Sequence, residues 1–531
     1  MKKLPIGIQS FEKLRSNGYL YVDKTREIHR MIDSGKIYFL SRPRRFGKSL
    51  LVSTLDELFS GNQSLFEGLY IHDRWDWTQP HPVIRLDWGG MSYHTPEALS
   101  RSLADFVTAK AEYAGITLED TGLSDRFFEL VEKLHYQTGR KVVLLVDEYD
   151  KPITDHLTNP DVLSANDTKL HDFYQVFKAA DDHLQFVFLT GISRFSGVSI
   201  FSALNLNDIT MNDRYASICG YTQEELESYF PEYMDEAGKR MDMSRGELLE
   251  DIRRWYNGYS WDGETSVYNP ISILLLFDKC VFGNYWFDTG TPTFLISLLQ
   301  KRNDLKPVLE PVSVSSSALR GFDPLRIGGT SLLFQSGYLT VKSRQLIGGR
   351  PQYTLGVPNT EVNEPLLKHL LIAYSGYPAD RMPPIRSAMQ QQISSGDASG
   401  LERNLRILLA DVPCQLHVES EAYYHSMLLV WLKTLGFDIQ GEISVSNGRI
   451  DAVWRQPELT VITEVKYHPE KDAETLLHEA LVQIRNRRYG EPYRTIKVTL
   501  LAVAFAGKEI ACRIEEPEVE KRKYRKRKIE N

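Results

Sequence analysis

Ile37-Tyr38-Phe39-Leu40-Ser41-Arg42-Pro43-Arg44-Arg45-Phe46-Gly47-Lys48-Ser49-Leu50 sets an apolar run against a basic loop that ends in glycine, lysine and serine. Leu51, Leu55, Leu58 and Phe59 follow at helical spacing, so the stretch reads as strand, tight loop and helix. Gly47-Lys48-Ser49 is the second half of GxxxxGK(S/T), placed where a helix begins. There the first backbone N–H groups are unpaired and the helix dipole favours an anion, which suits a phosphate. Lys48 is expected to reach the β- and γ-phosphates of ATP, and Ser49 to hold Mg²⁺. Arg44, Arg45, Phe46 and Gly47 complete the expected cradle. Arg42 stands where the motif has its first glycine. Two readings of Arg42, Arg44 and Arg45 stay open: contacts to phosphate or nucleic acid, and solvated loop charges.

Working outward, Val142–Val146 is a continuous apolar run that leads directly into Asp147-Glu148. Such a run implies a strand buried on both faces. Its carboxylates then lie at the C-terminal strand end, where ligands of open parallel sheets bind. Asp147 is expected to support Mg²⁺, and Glu148 to polarise an attacking water. Asp150 receives no role. Val83–Leu86, Phe186–Leu189 and residues 206–210 are further strand candidates, with helical stretches near 95–135 and 168–180. This alternation predicts a P-loop-type α/β domain with a mostly parallel sheet. Arg194, just after the Phe186–Leu189 strand, is expected to stabilise transferred charge, in cis or toward a neighbouring subunit.

Beyond residue 215 the pattern changes. Thr222 and Glu225 have capping-box spacing, and residues 222–305 read as a mostly helical lid. Two strand-like runs flank Ile347-Gly348-Gly349-Arg350, a hairpin signature. Residues 376–398, with Pro378, Pro383, Pro384 and Ser394-Ser395-Gly396, read as a linker zone.

A second α/β unit follows. A helix near 421–435 precedes strand candidates near 437–444, 449–455 and 459–466, a helix near 473–488 and a strand near 496–505. Asp451 and Glu464-Val465-Lys466 form D-x12-E-x-K across two adjacent strands. Period two puts Glu464 and Lys466 on one face, and Asp451 can converge there. Two carboxylates can hold a Mg²⁺ that also touches a scissile phosphate, with Lys466 orienting water and stabilising charge.

Length and charge fit this division. The chain has 531 residues and a net charge of −7, too long for one core and without a global basic field. Its four cysteines form no CxxC pair, which argues against a disulfide framework or zinc site. No apolar run approaches the roughly 18 residues that cross a bilayer. The expectation is a cytoplasmic protein with no membrane role. The expected boundaries are an ATPase core at 1–215, a lid and hairpin-containing relay at 216–375, a linker and helical region at 376–410, a nuclease domain at 411–515 and a basic tail at 516–531.

The chain resembles a bacterial and archaeal family that joins an AAA-ATPase-like domain to a C-terminal PD-(D/E)XK nuclease domain. The resemblance rests on Tyr19–Thr25, Ser41–Ser49, Val146–Pro152, Leu189–Ser196, Trp255–Tyr259, Tyr268–Pro270 and Trp286–Gly290, and on the D…ExK segment. That family tends to carry the Arg42–Ser49 form of the loop. The resemblance implies two further catalytic positions: Glu421, on the first helix of the nuclease domain, and Gln483, on the helix after ExK. Tyr424 and His425 share the helical face of Glu421, and His425 reads as a packed residue. The expected activity is ATP hydrolysis that gates or positions a Mg²⁺-dependent nuclease acting on DNA or RNA, within a possible homo-oligomer. The alternative is an ATP-controlled switch or binding module whose nuclease fold is catalytically silent.

Overall fold

A computed structural model describes residues 1–119, 121–195, 206–289, 295–296, 299, 306–319, 321, 329–375, 382–410, 420–445, 448–456, 459–493, 497–507 and 509–517. The chain divides into two compact units. One comprises Met1–Thr291 with Pro311–Asn363, the other Pro292–Glu310 with Glu364–Asn531.

The first unit is built on β1 (Ile37–Ser41), β2 (Val83–Asp87), β3 (Val142–Asp147), β4 (Leu184–Gly191) and β5 (Asn207–Asp208). They pair in the order β2-β3-β4-β1-β5, and every pairing is parallel. All six residues of β3 are buried, as its unbroken apolar run requires. The stretch 95–135 forms two helices, Pro96–Tyr113 and Leu123–Thr138, because the chain turns at Gly115 with φ +67°. The helix expected near 168–180 starts earlier, at Pro160, where Asn159 caps the N–H of Val162. A side-chain cap of this kind contributes about 1 kcal/mol.

Thr222 and Glu225 do form a capping box, and Ser244 with Glu247 forms a second. Helices Gln223–Tyr229, Pro231–Met241, Arg245–Tyr256 and Pro270–Lys279 share a core with Leu226, Phe230, Ile252 and Ile273. Leu20 and Val22 from the N-terminal segment join it. The hairpin is β7 (Thr340–Ile347) with β8 (Arg350–Gly356), turning through Gly348 (φ +58°) and Gly349 (φ +74°). Both turn residues lie in the left-handed region, the two-residue geometry that matches strand twist. A third strand not anticipated from sequence, β6 (Val312–Ser315), pairs with β8.

The second unit carries β9 (Asp438–Val445), β10 (Gly448–Gln456), β11 (Leu459–His468), β12 (Lys497–Ala506) and β13 (Glu509–Glu515). The order is β13-β12-β11-β10-β9, with β11 and β12 parallel and the other pairs antiparallel. Helix Ala473–Asn486 makes the parallel crossover and buries Leu476, Leu477, Ala480, Leu481 and Ile484. Each such large apolar side chain contributes about 1.5–3 kcal/mol on full burial.

Within the stretch 376–398 read as a linker zone, residues 382–395 are helical instead, and residues 398–410 are helical within the linker and helical region expected at 376–410. Met382–Ser395 and Ala398–Ala410 are helices, and the latter packs on β13. Pro383 and Pro384 fall in a first turn, where a missing N–H breaks no helical hydrogen bond. Residues 376–381 and the basic run 521–528 lie outside the described residues.

Candidate active sites

β4 lies between β1 and β3 in the sheet, so the loop after β1 and the acidic end of β3 flank one strand end. Gly47 has φ +91° and precedes helix Lys48–Phe59, a backbone turn that a side chain would strain. Lys48 is buried, and its Nζ donates to the carbonyls of Arg42 and Pro43, both at 2.9 Å. Burial lowers its pKa, and Asp147 and Asp150 oppose that shift. Ser49 acts on the side chain of Asp147, opposing the rise in its pKa, and Asp147 is 1% exposed. Glu148 adopts a left-handed φ of +52°. Burial raises the pKa of both Asp147 and Glu148, and the charge of Asp87 adds to both shifts. Asp87 pairs in register with Asp147. Sequence reading did not single it out, although it ends the neighbouring parallel strand.

A cavity of about 420 Å³ opens beside Lys48, Ser49 and Glu148, with Asp147 and Asp87 outside its lining. Arg44, Arg45, Gly47, Lys48, Ser49 and Glu148 line its polar side. Ile8, Tyr221 and Leu274 supply an apolar wall suited to a nucleobase. Asp150, which had no assigned role, accepts from the N–H groups of Ile192 (3.1 Å) and Ser193 (2.7 Å). Burial pushes its pKa up to about 6. It fixes the strand end at the cavity floor.

Three residues of the sequence reading lie away from the lining of this cavity. Arg42 is fully buried, so it neither contacts phosphate nor faces solvent. It donates to the carbonyls of Ser41, Thr210 and Tyr215 and lies 3.9 Å from the centre of the Trp261 ring. The Phe46 side chain packs edge-on against Tyr259 and Trp261, so it wedges the loop and is absent from the cavity lining. Arg194 is not brought to this cavity. It pairs with Asp208 at 2.7 Å, and its main chain is bracketed by the Gln335 amide.

In the second unit, the antiparallel pair Ala452/Thr463 sets Asp451 beside Glu464. Asp451 accepts from the N–H of Val465 at 2.8 Å. His425 Nε2 lies 2.8 Å from the Asp451 carbonyl, and since a carbonyl only accepts, that nitrogen carries the proton. His425 therefore braces the strand that presents Asp451. Glu464 is fully buried. Lys466 Nζ lies 3.1 Å from Glu464 and 3.7 Å from Glu421. The Gln483 amide donates to Glu464 Oε1, while Glu464 Oε2 is buried without a hydrogen-bond partner. Burial, then the Asp451 charge, pushes the Glu464 carboxyl up to about 8. Burial works against the Lys466 charge, but Glu464, Glu421 and Asp451 together raise its pKa.

The residues expected from D…ExK and from the family resemblance thus converge. An orphaned carboxylate oxygen beside a second carboxylate fits a divalent cation, which would favour the ionised form of both. Among the described residues no three or more His, Cys, Asp and Glu side chains gather as a complete metal cage. Mg²⁺ is commonly held by one or two carboxylates, with water and substrate phosphate filling the rest.

Residues 5–201 match the family described as a predicted AAA-ATPase, and residues 419–515 match the PD-(D/E)XK nuclease superfamily. A protein of Azotobacter chroococcum mcd 1, called "Uncharacterized protein in vnfD 5'region", is 40% identical over 517 residues, covering 95% of this chain and 96% of the relative. The chain belongs to this AAA-ATPase-like, PD-(D/E)XK-bearing family. Its AAA-ATPase-like part contains the loop at 41–49 and the acidic strand end, and its nuclease-type domain contains the Asp451, Glu464 and Lys466 cluster. Among the described residues no helix is long and apolar enough to cross a membrane.

Proposed function

We propose that the protein hydrolyses ATP at Lys48, Ser49, Asp147 and Glu148 and uses that cycle to gate a Mg²⁺-dependent nuclease at Asp451, Glu464 and Lys466. The observation that carries the nuclease half is the buried, unpartnered Glu464 oxygen, held beside Asp451 by Gln483 and Lys466. Asp451 and Glu464 would hold the cation, which when bound polarises the scissile phosphate and a water. Lys466, kept cationic by its three acidic neighbours, orients the water and stabilises charge that develops on phosphorus-bound oxygen. Gln483 fixes the Glu464 carboxylate, and Glu421 fixes Lys466 from the other side.

In the AAA-ATPase-like part, nucleotide would draw the Lys48 ammonium from its own loop carbonyls onto the β- and γ-phosphates. Ser49 and Asp147 share the Mg²⁺ ligation expected of this loop. Glu148, whose pKa burial raises, accepts a hydrogen bond from the attacking water. A switch reading has one observation in its favour: Lys48 closed on Arg42 and Pro43 defines a resting loop that nucleotide must open.

The test is cleavage of labelled DNA and RNA with Mg²⁺ or Mn²⁺, with and without ATP, by the native, Lys466→Ala and Lys48→Ala proteins. Cleavage abolished by Lys466→Ala, and made independent of ATP by Lys48→Ala, is expected. ATP hydrolysis with no cleavage of any substrate would transfer the conclusion to the switch.

A further inference from the structure

A second cavity, of about 640 Å³, belongs to the ATPase-like unit and shares no lining residue with the loop at 41–49. Arg194, Arg214, Arg344, Pro351 and Tyr353 line it together with two carboxylates, Asp208 and Asp213. Across β7 and β8, Arg344 pairs with Tyr353 and Leu346 with Pro351. Alternation places these four on one face of the ribbon, and three of them line the cavity. The opposite face carries Ser343, Gln345, Gln352 and Thr354, extended on β6 by Ser313 and Ser315. That face is polar and without carboxylates.

The ribbon ends in an exposed apolar tip. Leu346 is 68% and Ile347 59% exposed, beside exposed Arg350, on a two-glycine turn. Two large apolar side chains at the end of a narrow ribbon are thus left mostly open to solvent. The charge is segregated as well. From Thr340 to Gly356 the sequence has no acidic residue, against Lys342, Arg344 and Arg350, in a chain whose net charge is −7. The ribbon's cations, hydroxyls and amides complement a polyanion. A two-stranded ribbon fits the major groove of a duplex, and apolar tips can wedge between base steps.

We propose that the β7–β8 ribbon forms a nucleic-acid contact surface on the ATPase-like unit, separate from the nuclease carboxylates. Arg344 and Arg350 contact backbone phosphates, and Leu346 and Ile347 meet the bases. This rests on the nucleic-acid partner of the function proposed above.

The experiment uses full-length protein carrying Lys466→Ala, so that substrate is not cut. Binding of fluorescein-labelled duplex and single-stranded DNA and RNA is followed by anisotropy over a range of salt. Adding Arg344→Ala with Arg350→Ala is expected to weaken binding about tenfold or more and to reduce the salt slope by roughly 0.7–0.9 per lost phosphate contact. Leu346→Ser with Ile347→Ser is expected to weaken binding at unchanged slope. All four positions are at the surface, so both variants should fold. Lys239→Ala with Arg240→Ala, on an exposed helical turn, is the charge-matched control. Affinity and slope unchanged in the ribbon variants, or reduced equally in the control, overturns the surface and leaves the nuclease reading standing. Absence of binding to every nucleic acid by the parent overturns both.

Discussion

Arg42 and Arg45 make opposite predictions for the same substitution. Pattern matching suggests that Arg42→Gly would restore the glycine of GxxxxGK(S/T) and improve nucleotide binding. The structure argues the reverse. Arg42 is not among the residues with positive φ, so glycine brings no conformational relief there. Its guanidinium satisfies carbonyls of Ser41, Thr210 and Tyr215 and covers Trp261. Leaving a buried carbonyl unsatisfied costs about 1–3 kcal/mol, and a desolvated cation–π contact contributes about 2 kcal/mol. Desolvation of the guanidinium, several kcal/mol by itself, and water entering the void offset part of this. A net loss on the order of 3–5 kcal/mol remains, within the range of large single-residue effects. Arg45 is the contrary case: it is exposed, and its φ of +66° is left-handed. Arg45→Gly should be neutral or stabilising by about 1 kcal/mol. Urea titration monitored by tryptophan fluorescence, with ATP binding measured alongside, separates the two. An Arg42→Gly protein that keeps the native urea midpoint and binds ATP more tightly would refute the anchoring argument.

Gln483→Ala should raise the Mg²⁺ concentration for half-maximal cleavage by about 10–100-fold, the usual effect of losing a ligand-orienting partner; an unchanged Mg²⁺ titration would show that the amide does not orient Glu464. In the native enzyme the same requirement should fall as pH rises toward about 8, because the cation must displace the proton that burial and Asp451 keep on Glu464, and a pH-independent Mg²⁺ titration would count against that proton. Glu361 is buried, accepts from Ser272 and Trp286, and is pushed up to about 8 by burial. The folded state therefore holds a proton that the unfolded state releases at ordinary carboxyl pH, so this stability is complete in acid and lost as pH rises toward 8. The slope approaches about 1.4 kcal/mol per pH unit, and Glu361→Gln should flatten it in melts between pH 5 and 8; a Gln variant with the native pH slope would assign the dependence to other groups.

How much was legible in the sequence follows from where the deciding physics lies. The central strands announced themselves because burial on both faces forces apolar runs, as in Val142–Val146. Asp451, Glu464 and Lys466 were visible because strand periodicity alone assigns faces. Gln483 needed the family resemblance, since nothing in a helix pattern says that one amide will reach a carboxylate on a neighbouring strand. Asp87 was missed because its importance comes from register with Asp147 across a parallel pair, which no local window contains. The helix Met382–Ser395 lies in the stretch read as a linker zone because proline was weighed without its position, and Pro383 and Pro384 lie where a helix tolerates them.

The arginines of the 41–49 loop show the limit most directly. Three lie within four positions, and local sequence gives all of them the same pair of readings, phosphate contact or solvated loop charge. Tertiary packing divides them. Arg42 turns inward because two carbonyls and an indole ring from later in the chain await it, whereas Arg44 and Arg45 remain at the cavity. The missing glycine and the buried arginine are therefore one feature. At position 42 the loop gives up a small residue that its backbone does not need, and gains a side chain that ties the nucleotide site to Thr210 and Tyr215. If that tie holds the loop in shape, Lys48 can be presented to phosphate without the first glycine of the motif.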